Sequence, residues 1–222
     1  MKNWLKANRG FIVLLLCFGF FRLAIADWNP IPSGSMRPTL LEGDVVLVDR
    51  LAYDVKLPLS DVAIFELGTP QRGDVITFAS PLDGARLIKR LVAVPGDVVE
   101  MRNEVLYING VACEYVNPSA AAEPMDSGGT TSAIRVTERT AGNEHRVQFL
   151  PDVPARRSFG PTVVPQGSYF FLGDNRDNSA DSRYIGFVPR HLLIGQARQI
   201  LVSANIKGNW LPRLERTGER IQ

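Results

Sequence analysis

Hydrophobic and polar positions alternate in two different ways along this chain. The first is a nearly all-apolar run without charge, Phe11 to Phe21, that resumes after Arg22 as Leu23-Ala24-Ile25-Ala26. The second begins near Gly43, where short runs rich in β-branched residues are separated by turn residues. Val45 to Val48, Val75 to Phe78, Arg86 to Val94, Val98 to Met101 and Val105 to Ile108 read as strands. Arg72-Gly73-Asp74, Pro95-Gly96-Asp97 and Asn109-Gly110 punctuate them, the last being a strong hairpin turn. Ser168 to Leu172 and Gln199 to Val202 return to the strand pattern, and only Pro189 to Leu193 suggests a short helix. The stretch from about Glu114 to Pro165 differs. It holds Ala-, Ser-, Gly- and Pro-rich segments such as Ser119 to Thr131, with strand-like pieces at Ile134 to Thr137 and Arg146 to Leu150. It reads as a smaller β subdomain with mobile loops, inserted into the main one.

The pattern therefore divides the chain into a basic N-terminus over 1–9, an apolar anchor over 10–27, a β-rich core over 28–113 and 166–222, and the insert over 114–165. The fold class is mostly β, with an N-terminal transmembrane helix. Lys2, Lys6 and Arg9 ahead of the apolar run predict a cytoplasmic N-terminus, which puts everything after about Asp27 on the other side of the bilayer. The span is short against the roughly 20 residues that a helix needs, and reaches that length if Arg9 and Arg22 extend to the headgroups. Ala24-Ile25-Ala26 also has the small-x-small form of a removable signal's cleavage site. Arg22 weighs against removal, because a charge there interrupts the apolar run leading to the cut.

Composition removes several functions. With 25 basic and 23 acidic residues the formal charge is +2, and neither sign forms a long run, so there is no footprint for nucleic acid. Cys17 and Cys113 are too differently placed to pair. His145 and His191 have no ligand-like neighbours, so no metal site, no cofactor and no histidine base is expected.

The last point bears on Ser35. It lies in Pro32-Ser33-Gly34-Ser35-Met36-Arg37-Pro38-Thr39-Leu40, just after the membrane segment. As a turn this segment is unremarkable. As a nucleophile's setting it offers an exposed hydroxyl, a glycine that permits close approach, and the Ser33 hydroxyl as an oxyanion donor beside the Ser35 amide. A base is needed, and Lys89 is the candidate. It sits in Arg86-Leu87-Ile88-Lys89-Arg90-Leu91-Val92-Ala93-Val94, a strand apolar on both faces that carries two charges. Desolvation there makes the neutral amine accessible. The bland alternative is a charged Lys89 paired with a carboxylate. A third segment, Gly173-Asp174-Asn175-Arg176-Asp177-Asn178-Ser179-Ala180-Asp181-Ser182-Arg183, resembles a calcium loop only superficially. Counted from Asp174, ligand position 3 is Arg176, position 6 is Ser179 and position 12 is Ile185. The alternative reading has Ser179 hydrogen-bonding the Lys89 amine, and Asp181 pairing with Arg183 to hold the loop.

Taken together, Ile31 to Met36, Leu41 to Asp44, Arg72 to Asp74, Ile88 to Arg90, Pro95 to Asp97 and Gly173 to Pro189 closely resemble bacterial type I signal peptidases. The resemblance covers nearly all of the chain outside 114–165. It implies a Ser35–Lys89 dyad acting through an acyl-enzyme, an oxyanion hole using Ser33, and Ser179 supporting the lysine. It implies a preprotein signal peptide as substrate, bound extended as an added strand, with cleavage after small-x-small motifs at the outer face of the bacterial inner membrane. By position, Ile31, Met36, Leu40, Leu87 and Ile88 are the expected pocket residues. A monomer is expected, with the bilayer as its other partner. Leu87 stands where many relatives carry an aromatic residue, and the single candidate span and short insert also depart from some of them. Those departures leave room for a specialised processing role in conjugation or secretion. A self-cleaving repressor-type protease is disfavoured by the apolar span, and a non-catalytic tethered β scaffold requires no Ser–Lys proximity.

Overall fold

The computed structural model describes residues 4, 8–57, 62–125, 128–140 and 142–221. The apolar run forms helix α1, Arg9–Ala24, of 16 residues. Strand β1, Ala26–Pro30, starts two residues later, so Ala26 and Asp27 of the expected anchor belong to the sheet instead. No helix among the described residues is long and apolar enough to cross a membrane. Lys2 and Lys6 lie outside the described residues. The apolar side chains Phe11, Val13, Leu14, Leu15 and Phe18 of α1 are all exposed.

The chain then runs through β2 (Asp44–Asp49), β3 (Asp54–Lys56), β4 (Ala63–Glu66), β5 (Val75–Ala79), β6 (Arg86–Ala93), β7 (Val98–Arg102), β8 (Val105–Ile108), β9 (Val111–Ala112) and β10 (Glu114–Pro124). It continues with β11 (Thr130–Thr140), β12 (Asn143–Phe149), β13 (Phe159–Val163), β14 (Ser168–Leu172), helix α2 (Ser182–Ile185), β15 (Val188–Pro189) and β16 (Leu193–Ser203). The main sheet has the order β1-β2-β16-β5-β6-β14-β15, and its pairings are antiparallel. The predicted runs are all found, β8 and β14 with the expected bounds and β6 one residue shorter, while Ile134 to Thr137 and Gln199 to Val202 lie within the much longer β11 and β16. Alternation accounts for β2, where Asp44, Val46 and Val48 are buried and their neighbours are not. Strand β5 is buried on both faces, as its continuous apolar run requires. Asn109 and Gly110 both take positive φ, 53° and 79°, the geometry of the tight hairpin between β8 and β9. The segment expected as a short helix is a single 3-10 turn, Arg190–Leu192.

Three apolar clusters fill the main body. One joins Ile31, Met36 and Leu40 to Val46, Val48, Val75, Ala197 and Ile200. A second gathers Ile76, Phe78, Leu91, Phe171 and Leu193 around the centre of the sheet. The third packs Val92, Val99, Leu106 and Phe170 beneath β7 and β8.

The insert corrects one reading. Much of Ser119 to Thr131, expected as mobile loop, is regular strand: Ser119 to Pro124 pair in register with Arg135 to Thr130. Most side chains of β10 are exposed, so the strand is held by its backbone ladder and leaves no apolar period in the sequence. The sheet β10-β11-β12 closes at Phe149, whereas β13 returns to pair with β7.

Candidate active site

The serine segment leaves β1 at Pro30 and is tied to the start of β2. The Ile31 amide donates to the Asp44 carbonyl (2.8 Å) and the Gly43 amide donates to the Ile31 carbonyl (3.0 Å). Gly43 holds φ at +89°, and a Cβ there would meet the Ala204 carbonyl oxygen, so glycine is required at this crossing. Gly34–Met36 forms one 3-10 turn. Met36 is fully buried, which fixes the turn against the core and leaves Ser35 partly exposed.

Two side chains lock this turn from outside. Asn175 donates from its backbone amide to the Ser35 carbonyl (3.1 Å) and from Nδ2 to the Gly34 carbonyl (3.0 Å). Arg37 lies between two acids, with Nη2 2.7 Å from Glu42 and Nη1 2.9 Å from Glu123 of β10. Gly34 makes room for that arginine, since a Cβ would sit 3.2 Å from Arg37 Nε.

Lys89 comes to the same place from β6, where it pairs with Ile76 of β5. Its Nζ is 2.7 Å from Ser35 Oγ and 2.9 Å from the Ile88 carbonyl. The residue is 3% exposed. Burial pushes its pKa down from 10.5 to about 8, against the opposing pull of Asp181 and Asp174. No carboxylate forms an ion pair with Lys89 among the described residues, in contrast to the bland alternative.

The second charge of β6 has a different fate. Arg90 is 1% exposed and donates through Nε and Nη2 to Asp174 at 2.8 and 2.7 Å. Burial raises the Asp174 pKa, but the Arg90 charge, its hydrogen bonds and the weaker pulls of His145 and Thr39 together outweigh it, and the net shift is downward. Thr39 also donates to Asp174 (2.5 Å), so this pair joins β6, the acidic loop and the end of the serine segment.

The acids of the loop 173–183 turn to separate bases. Asp181 takes the Arg183 guanidinium through both oxygens at 2.8 Å, accepts from the Gly173 amide (3.0 Å) and caps α2. Asp177 accepts from the Leu150 amide (2.8 Å) and lies 3.3 Å from Arg157. Arg176 is buried against Glu138 of β11 at 2.7 Å; burial pushes the Glu138 carboxyl up, but Arg176 and His145 together hold it below the usual range. The loop is thus pinned to the insert as firmly as to the core.

Of the other expected residues, Ser33 Oγ is exposed and 3.4 Å from Ser35 Oγ. Ser179 departs from its expected bond. Its Oγ is buried and has no hydrogen-bond partner, so no bond to Lys89 is formed. Its position is nonetheless adjacent, because a Cβ built on Gly173 would strike both Ser179 and the Ser35 carbonyl. Among the expected pocket residues, Met36 and Leu40 are 0% exposed and Ile31 is 3% exposed. They are packed into the core cluster beneath the serine turn, and leave only Leu87 and Ile88 with accessible surface at the site.

Sequence reasoning did not single out Asn175, Asp174, Arg37 or Glu123. Asp174 was within reach: a second buried charge on β6 demands a partner, and the acidic loop is an obvious source. Glu123 left no comparable trace, since only the fold brings β10 to the serine turn.

The chain matches the signal peptidase, peptidase S26 family over residues 1–202. It is 38% identical over 221 residues to Signal peptidase I of Pseudomonas fluorescens, an alignment covering 94% of this chain and 74% of that protein. Signal peptidase I of Pseudomonas aeruginosa is 36% identical, with the same shares covered. Signal peptidase I of Buchnera aphidicola subsp. Schizaphis graminum is 33% identical, covering 86% of this chain and 72% of that protein.

Proposed function

On the premise that the chain belongs to the S26 family of signal peptidases, hydrolases that remove signal peptides, we propose that Ser35 is its nucleophile and Lys89 its general base. The observation that carries this is the 2.7 Å approach of a buried, low-pKa amine to a partly exposed serine hydroxyl. As the neutral amine, Lys89 accepts the Ser35 proton while Oγ bonds to the scissile carbonyl carbon. The charge that develops on the carbonyl oxygen is met by the Ser33 hydroxyl and the Ser35 amide. Such a donor is typically worth about 100- to 1000-fold in turnover. Lys89 then returns its proton to the leaving amine, giving an acyl-enzyme on Ser35. Water, deprotonated by Lys89, attacks the ester and releases the signal peptide with a free carboxylate.

The substrate is a preprotein whose segment before the cut lies extended beside β6, with small residues at the first and third positions. Only Leu87 and Ile88 present apolar surface there without rearrangement, so the pockets are shallow. Helix α1, with its exposed Phe11, Val13, Leu14, Leu15 and Phe18, is the membrane anchor, its N-terminus cytoplasmic and the β-rich part on the far side.

The test is cleavage of a preprotein by the full chain in detergent, with Ser35→Ala and Lys89→Ala beside it. Both variants abolish cleavage, and a serine-directed covalent trap labels Ser35 in the unaltered chain only. Near-normal cleavage by Lys89→Ala rejects the dyad.

A further inference from the structure

Strands β1 and β15 bound the main sheet, and part of β6 also lacks a strand partner on one side among the described residues. Strand β1 pairs with β2 alone. Strand β6 is paired along one edge with β5 from Arg86 to Arg90, but β14 reaches only Arg90, Leu91 and Ala93 on the other. The segment Arg86–Lys89 therefore has a free edge that leads directly to the lysine. Although β2, β16 and β5 separate β1 from β6 in the sheet, side chains join them. Arg86 Nη1 donates to Asp27 (3.0 Å) and to Asn29 Oδ1 (2.7 Å). The bridge lies three residues along β6 from Lys89, which at about 3.3 Å per residue is roughly 10 Å.

The members of this bridge are unequally exposed. The Arg86 side chain is 49% exposed, whereas that of Asp27 is 11% exposed and lies behind it. Asn29 is 9% exposed, and its Nδ2 is a buried donor with no partner among the described residues. An unsatisfied buried donor is costly, and points to a group that supplies an acceptor when bound. What the site offers an incoming side chain is thus a half-exposed guanidinium and a spare amide donor, both on the donor side of a hydrogen bond.

Resting on the signal-peptide reading above, we propose that Arg86, Asp27 and Asn29 form a polar subsite for about the fourth residue before the cut. It selects side chains that carry a hydrogen-bond acceptor, acidic ones most strongly, over apolar or basic ones. Beyond the small-residue pockets at Leu87 and Ile88, specificity is thereby set by charge and not by size.

A peptide series tests this, with alanine at the first and third positions before the cut and Glu, Gln, Ala, Leu or Lys at the fourth. The full chain in detergent is assayed for kcat/KM on each. Glu exceeds Lys by about three- to fivefold, the range expected of one partly exposed charge pair. Arg86→Glu inverts that ratio, and Arg86→Gln brings it close to one. Equal values across the series in the unaltered chain overturn the subsite, as does an unchanged ratio in Arg86→Glu. Failure to cleave any peptide, the alanine one included, overturns instead the signal-peptide reading on which the subsite rests.

Discussion

Replacing Lys89 by methionine separates the lysine's chemical role from its structural cost. Holding a lysine at a pKa of about 8 instead of 10.5 makes the folded chain pay at any pH where the unfolded lysine is charged. At pH 7 that cost is about 3 kcal/mol. Methionine removes it, and also removes the contacts to Ser35 and to the Ile88 carbonyl, worth about 1 kcal/mol each. Lys89→Met is therefore inactive, yet more stable at pH 7 by about 1 kcal/mol, or about 2–4 °C in Tm. The pH dependence is the sharper reading. Between the folded and unfolded pKa values the unfolded lysine holds a proton that the folded one lacks, so stability of the unaltered chain rises with pH through that window. The advantage of Lys89→Met accordingly falls by about 2–3 kcal/mol between pH 7 and 10, and changes sign. Every other group titrates alike in both proteins, so the difference isolates residue 89. Thermal unfolding of both chains in the same detergent, followed by near-UV circular dichroism, provides the measurement. A stability difference that stays constant from pH 7 to 10 refutes the argument, because it means that the buried amine titrates alike in the folded and unfolded states.

Three further outcomes follow from the same geometry. The neutral share of Lys89 is about half at pH 8, a tenth at pH 7 and a hundredth at pH 6, so kcat/KM falls about tenfold per pH unit below 7, and a flat profile from pH 6 to 9 excludes this base. Gly173→Ala places a methyl 2.5 Å from the Ser35 carbonyl, displaces the serine turn and lowers kcat/KM by about 100-fold, whereas unchanged kinetics show that the loop yields freely. Asp174→Ala leaves Arg90 buried without its carboxylate and costs about 3–5 kcal/mol, read as a lower urea midpoint, while a cost below about 1 kcal/mol shows that the charge is balanced elsewhere.

The strands of the core were legible from the sequence because burial on one or both faces writes an apolar period into β2, β5, β6 and β14, and because Asn109-Gly110 accepts the two positive φ angles of a tight turn. The proposed nucleophile and base stood out in the sequence for a chemical reason. With no histidine suitably placed, a lysine on a strand apolar on both faces was the remaining candidate base, and the expected loop pair Asp181–Arg183 is present. What the sequence could not carry was contact between segments distant along the chain. Whether residues 35 and 89 meet, that Glu123 reaches Arg37, that Asn175 holds the Ser35 backbone, and that Arg86 spans to Asp27 are all settled by the antiparallel sheet order and the return of the insert. The burial of three expected pocket residues was hidden for the same reason. Ile31, Met36 and Leu40 are apolar and close to Ser35 in sequence, and nothing local distinguishes a side chain that lines a groove from one that packs beneath it. Periodicity records how much of a strand is buried; only tertiary packing decides against what.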